Sequence, residues 1–325
     1  MKRILFEGKS PLNKSGKEAL GITPYIPSPN LVNAVKISQI LQRPLLVKGE
    51  PGCGKSKLAE AVAIELHKEA FRDYYFEWNV KSTSKAIDGL YSINNLQRLS
   101  DANLSGSKTR DLQVRLAQTK GVYQSKGNYV ELGELGKAFA MTQQAGLEAP
   151  PVVLIDEIDK ADIDFPNDLL LELDRMEFSI PEARDNRGKP VVIRANKEKR
   201  PVCIITSNDE KPLPAAFLRR CVFYYIDFSE IRLEEIVAAR YRDLPSGLGK
   251  MAVEKFKEWR TKIENAGVAN KNISTSELLD WVSVIRFYHG KKKPDTLEDT
   301  DGKPVYASSL LKDIETIKLF TAKKT

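Results

Sequence analysis

The chain has 325 residues, a formal net charge of +7, 42% hydrophobic residues and 29% charged residues, which suits a soluble protein with a sizeable core. No uncharged apolar run approaches the roughly 18 residues of a membrane span, and the basic start "MKRILFEGKSPLNKSG" lacks an apolar h-region, so neither a membrane nor a secretory address is expected. Cys53, Cys203 and Cys221 form no tight pair and His67 and His289 are far apart in sequence, which argues against a disulfide framework, a zinc site or histidine-based metal chemistry and points to the reducing cytoplasm.

In chain order, residues 1–29 are polar and proline-rich ("PYIPSPN") and read as an arm over the core. A helix is predicted from about Asn30 to Gln42, with Leu31, Val35, Ile37 and Leu41 as its apolar positions. "PLLVK" is a short buried strand. A glycine turn follows it, and then a helix with Leu58, Val62 and Leu66 along one side. "YYFEWNV" (74–80), "PVVLID" (151–156), "RPVCIITSN" (200–208) and "CVFYYIDF" (221–228) supply four more strands. Helical patterns separate them, so a parallel sheet covered on both faces is expected. Beyond Ser229 the pattern is helical: 231–243, 249–266, 274–288 and 306–321, with Phe256, Trp259 and Ile263 as one stripe and Ser274/Glu277 spaced as a capping box. The segment 290–304 is a charged loop. Two stretches look inserted. Residues 92–130 are basic, with Arg98, Lys108, Arg110, Arg115, Lys120 and Lys126 against Asp101 and Asp111, and 177–200 read as a basic hairpin.

"GEPGCGKS" holds the densest chemistry. Gly49, Gly54, Lys55 and Ser56 fit G-x-x-x-x-G-K-[ST], between a buried strand and an amphipathic helix. Glycines let backbone N–H groups converge on phosphate oxygens, and the helix N-terminus adds positive potential. Lys55 reaches the β- and γ-phosphates and Ser56 ligates Mg²⁺. The phosphate loop is Gly49, Glu50, Pro51, Gly52, Cys53, Gly54, Lys55, Ser56 and Lys57, with Cys53 at a variable position. In "VVLIDEIDK", Asp156 ends a strand where a carboxylate can hold Mg²⁺, and Glu157 can polarise an attacking water. Standing alone, the two are ordinary solvated carboxylates. Asp159 and Lys160 read as a surface ion pair, with a subunit-interface role as the alternative. Asn208, closing "IITSN", either orients the lytic water or opens a turn. Arg219 and Arg220 either stabilise charge on a neighbouring subunit's phosphoryl group or are a solvated basic helix end. Tyr91 reads as packing in preference to a substrate grip.

"GEPGCGKS", "LIDEID", "TSN" and "LRRC", in this order and spacing, resemble an AAA+ ATPase over about residues 20–290. "RPLLVKGEPGCGKSKLAEA", "ELGELGKAF" and "ISTSELLDW" resemble its MoxR-like branch. The resemblance implies an αβα three-layer P-loop NTPase core with a parallel sheet of order 5-1-4-3-2 and a small helical lid. The domains would be an arm (1–29), a nucleotide-binding domain (30–228) and a lid (229–325). It implies ATP and Mg²⁺ as ligands and a ring, usually hexameric, with ATP between subunits. Lys55 and Ser56 take the Walker A roles, Asp156 and Glu157 those of Walker B, and Asn208 that of sensor 1. Arg220 best matches the arginine finger, with Arg219 second. The insert and the hairpin would approach a central pore. One departure stands out: Glu277 occupies the place of the sensor 2 arginine.

Three functions follow. The first is a remodelling ATPase acting on a protein partner, often one with a von Willebrand A-type domain, sometimes in a bacterial defence cluster. The second is a nucleic-acid motor or loader, in which the basic insert and Arg184, Arg187 and Arg194 meet phosphates. The third is a nucleotide-gated scaffold with slow turnover.

Overall fold

The computed structural model of the protein describes residues 4–12, 14–94, 112–113, 118–119, 122–123, 130–184, 187–267, 272–290, 292, 294–300 and 302–321. The charged residues of the 92–130 insert, and with them much of the case for nucleic-acid contacts, lie outside the described residues. The chain divides into two compact units. Met1–Leu20, Pro29–Gly49 and Lys55–Tyr225 form the first, and Gly21–Ser28, Glu50–Gly54 and Ile226–Thr325 the second.

The first unit opens on residues 4–12, where Phe6 is buried and its backbone N–H donates to Gln39 (2.9 Å). Helix α1 (Pro29–Leu41) buries Leu31, Ala34 and Val35, with Ser38 and Gln39 beside them. Ile37 and Leu41, read as core positions, are instead 47% and 53% exposed. The reason is angular: Ile37 lies about 200° around the helix from Val35, on the opposite face. Then follow β1 (Leu45–Gly49), α2 (Lys55–His67), β2 (Tyr75–Asn79), α3 (Glu134–Met141), β3 (Val152–Asp156), β4 (Val202–Ser207) and β5 (Val222–Ile226). The five strands form one sheet in the order β5-β1-β4-β3-β2, the 5-1-4-3-2 arrangement that the resemblance implied. The β1–β4, β4–β3 and β3–β2 pairs run parallel.

The apolar runs explain which strands are central. Leu154 and Ile155 of β3 and Ile204 and Ile205 of β4 have no exposed surface, as expected for strands covered on both faces. The edge strands differ from these central ones. In β5, Phe223 and Tyr225 are 54% and 48% exposed, because an edge position leaves alternate side chains without a cover. Helix α2 buries Leu58, Val62 and Leu66, the stripe read from the sequence. The expected hairpin is present as antiparallel strands Glu177–Arg184 and Pro190–Arg194, with a register shift at Pro190/Val191, where proline has no N–H to donate. Tyr91 is packing: its ring stacks on Phe178 at 6.1 Å and its hydroxyl donates to Glu182 at 3.1 Å.

The second unit contains α4 (Leu233–Arg240), α5 (Leu248–Ala266) and α6 (Thr275–His289), followed by α7 (Ala307–Leu310) and α8 (Ile314–Thr321). The single helix expected over 306–321 is therefore two. Asp313 accepts from the Thr316 N–H at 2.8 Å, which caps a new start and breaks the run. Phe256, Trp259 and Ile263 are buried as their spacing required, and Trp259 meets Trp281 edge-on at 5.1 Å. The Trp281 indole N–H donates to the Val305 carbonyl (2.7 Å), so the polar atom of a fully buried side chain is satisfied. Among the described residues, no helix is long and apolar enough to cross a membrane.

Helix α3 depends on a missing side chain. A Cβ on Gly136 would stand 2.0 Å from the Leu90 carbonyl oxygen and 3.2 Å from the Phe178 ring. In an open helix Gly→Ala stabilises by about 1 kcal/mol. Here Gly136→Ala is expected to destabilise by about 1–3 kcal/mol through overpacking against backbone, read as a lowered Tm in thermal denaturation. A raised Tm would show that the Leu90 carbonyl yields freely.

Candidate functional site

The site is assembled at the carboxyl ends of the central strands, where open α/β sheets place their ligands. Register does the first part of the work. Ile205 of β4 is level with Ile155 of β3, Val47 of β1 with Thr206, and Asn79 of β2 with Asp156, so the polar residues that end each apolar run fall side by side. A strand stops being apolar where it leaves the cover of the helices, which is why chemistry collects at these termini.

The Gly49–Ser56 loop, expected to hold phosphate, leaves β1 and enters α2 at Lys55. Gly52 (φ +77°) and Gly54 (φ +93°) hold left-handed backbone that other residues adopt only with strain. The first-turn N–H groups of α2 have no intrahelical acceptors, so this end carries the positive pole of a helix of 13 residues. Lys55 is buried and donates to the Gly49 carbonyl at 2.7 Å, folding back over its own loop.

One carboxylate joins three elements. Asp156 Oδ1 accepts from the Ser56 hydroxyl (2.8 Å) and from the Thr206 hydroxyl (2.6 Å). Thr206 Oγ1 in turn accepts from the Glu157 backbone N–H at 2.8 Å. Glu157 is left-handed (φ 57°, ψ 52°), a conformation that costs a non-glycine residue about 1–2 kcal/mol and that the Thr206 bond helps to hold. Its carboxylate is engaged at both oxygens: Asn208 Nδ2 donates to Oε1 at 3.0 Å and the Lys160 ammonium to Oε2. The contact with Glu157 raises the pKa of Lys160.

The structure thus brings together Gly49, Lys55, Ser56, Asp156, Glu157 and Asn208, and gives Asn208 a place beside Glu157. It does not join Arg219 or Arg220 to them. Arg220 Nε is paired with Asp174 at 2.5 Å, and Nη1 donates to the Ala216 carbonyl. Arg219 is exposed at the end of the short helix Ala215–Leu218. Asp159 and Lys160 are not a surface pair. Lys160 turns to Glu157, while Asp159 is buried and accepts from the backbone N–H groups of Asn208 (3.1 Å) and Glu210 (2.8 Å). Helical or strand spacing gives no sign of that role, since it bridges residues about 50 apart in the chain. Thr206 was readable only as part of a polar strand end. Burial pushes the Cys203 and Cys221 thiols up to about 12, so both stay protonated at neutral pH.

A parallel sheet of order 5-1-4-3-2 with a glycine-rich turn between its first strand and the following helix is an α/β P-loop core. Residues 45–228 match the model of the ATPase family associated with various cellular activities, and with more than half the chain matched the protein belongs to that AAA family of ATPases. No curated protein matches the chain. Among solved structures, a candidate ATPase from Cytophaga hutchinsonii ATCC 33406 is 12% identical over 85% of this chain and 76% of its own, with a TM-score of 0.35, too low to argue from.

Thr206 provides the structural test of this site, since it has no exposed surface and serves both carboxylate residues. Thr206→Val keeps the shape but leaves the Glu157 N–H without its acceptor. A loss of about 1–3 kcal/mol is expected in chemical denaturation, with Thr206→Ser recovering most of it.

Proposed function

We propose that the protein is a MoxR-like AAA+ ATPase that binds and hydrolyses Mg-ATP and works as a ring on a protein partner. The arm would be residues 1–29, the nucleotide-binding domain 30–228 and the lid 229–325. The observation that carries the reading is the hydrogen-bonded set Ser56–Asp156–Thr206 next to a Glu157 aligned by Asn208. ATP would lay its phosphates along the N–H groups of the Gly49–Ser56 turn and the α2 N-terminus. Lys55 would exchange the Gly49 carbonyl for a phosphate oxygen.

Ser56 and Asp156 fit Mg²⁺: they present a hydroxyl and a carboxylate, hard oxygen donors already within 2.8 Å of each other. When bound, the ion supplies charge neutralisation to the phosphates. Glu157 would accept the proton of the attacking water while Asn208 fixes the direction of its carboxylate. Arg220, or Arg219 beside it, would act at the site of a neighbouring subunit. An exposed, half-solvated arginine outside its own cluster suits that role. The MoxR-like branch, the hexameric ring and a partner with a von Willebrand A-type domain rest on the sequence resemblance alone. The alternative of a nucleic-acid motor draws less support from the hairpin, where Arg194 is already paired with Glu177.

Steady-state ATP turnover of the purified protein tests the proposal. Glu157→Gln is expected to lower turnover by about 10²–10⁴-fold, the range for removing a general base, while ATP binding is kept, and Lys55→Ala is expected to lose binding. Turnover by Glu157→Gln equal to the wild type would move the reading to a nucleotide-gated scaffold. A rise in turnover with DNA that fades as salt increases would instead select the nucleic-acid motor.

A further inference from the structure

The residue at the sensor 2 place does no phosphate work. Glu277 closes the capping box of α6, accepting from the Ser274 N–H at 2.9 Å while the Ser274 hydroxyl accepts from the Ser276 N–H. Among the described residues of the second unit, a buried cation stands elsewhere, at Arg260 on α5. Its Nη2 donates to both carboxylate oxygens of Glu50 (2.9 and 2.8 Å), and Glu50 is the second residue of the phosphate loop. Nη1 donates to the Ile273 carbonyl, Nε lies 3.2 Å from Glu264, and the guanidinium sits 3.7 Å above the Phe228 ring. The Arg260 side chain is 5% exposed. All three nitrogens and one face of the guanidinium are occupied, so it cannot swing to a phosphate without abandoning a buried charge.

The loop it grips needs holding. Glu50-Pro51-Gly52-Cys53-Gly54 contains no large apolar side chain, and its two left-handed glycines are costly to order. Three features of the second unit order it. Arg260 fixes the Glu50 side chain. The Ser276 hydroxyl donates to the Gly52 carbonyl at 3.3 Å. At Gly52 a Cβ would stand 2.2 Å from Ser274 Oγ, so the backbone is seated against the α6 cap with no room for a side chain.

We propose that Arg260 is a positioning residue of the nucleotide site: through Glu50 it holds the Glu50–Gly54 turn in the shape that receives phosphate, so that the ordering cost is met on folding and not on binding. This rests on the reading of the loop as an ATP site. A pre-ordered loop binds tighter because less freedom is lost at association. Breaking the clamp therefore acts first on affinity.

The test compares the wild type, Arg260→Lys, Glu50→Gln and the double variant in equilibrium binding of a fluorescent ATP analogue and in ATP turnover, with thermal melts as a check of folding. Arg260→Lys keeps the charge and loses the planar guanidinium that meets Glu50, Ile273 and Glu264 at once. Each single variant is expected to raise Kd and KM about tenfold or more, a larger change than in kcat, and the double variant is expected to be no weaker than the worse single one. Unchanged Kd in folded variants, or additive losses, overturns the clamp and leaves the ATP site standing. A wild type that binds no nucleotide overturns both. Should Arg260→Lys fail to fold, Glu50→Gln, on the 42% exposed side of the pair, decides the matter alone.

Discussion

A single oxygen, Oδ1 of Asp156, receives hydroxyl hydrogen bonds from Ser56 in the first turn of α2 and from Thr206 near the end of β4. Three pieces of chain far apart in sequence are thereby tied at one point, and each arrives there because its strand runs out of apolar residues at the same level of the sheet. The carboxylate is also an acceptor-only group with capacity to spare. An arrangement of this kind stabilises the fold and leaves lone pairs on the carboxylate unused by these two bonds.

Glu157 follows from that junction. It leaves β3 in a left-handed turn, and the strain is borne because Thr206 accepts its N–H while Asn208 and Lys160 hold its carboxylate. Asp159 performs the complementary service on the other side, gathering the N–H groups of Asn208 and Glu210. Strain of this sort persists only where surrounding bonds over-determine the backbone. Here Thr206, inside β4, and Asn208, just past its end, supply two of those bonds and Lys160 the third, so the direction of Glu157 depends in large part on residues about 50 positions away.

The middle of the Gly49–Ser56 loop is ordered by different means. Glycines provide the conformations that the turn requires but no packing to keep them. Side chains at the α6 cap and at Arg260 provide the packing. Burial of Arg260 is tolerable because each of its nitrogens has an oxygen partner: Nη2 reaches both oxygens of Glu50, Nη1 the Ile273 carbonyl and Nε Glu264.

Much of this protein was legible in its residues. The glycine spacing with Lys55 and Ser56, the apolar runs of β3 and β4, the α2 and α5 stripes and the Ser274/Glu277 cap are local patterns, and a local pattern carries its own physical meaning wherever the chain puts it. The sheet order came from resemblance, since no single strand encodes its neighbours. Ile37 and Leu41, the break at Asp313 and the exposed Phe223 and Tyr225 were misread or unread because hydrophobicity alone does not say which face of an element finds a cover. Asp159, Lys160, Thr206 and the Glu50–Arg260 pair belong wholly to tertiary structure. Each acts on a partner between 3 and about 210 residues away, and at the longer separations only the folded register of strands and the packing of helices decides who meets whom. The sequence by itself determined the local patterns: the glycine-lysine-hydroxyl spacing, the apolar runs that end on polar residues, and the helix stripes and caps. The tertiary structure decided which side chains meet, because meeting is a matter of distance and direction, and neither is written along a chain.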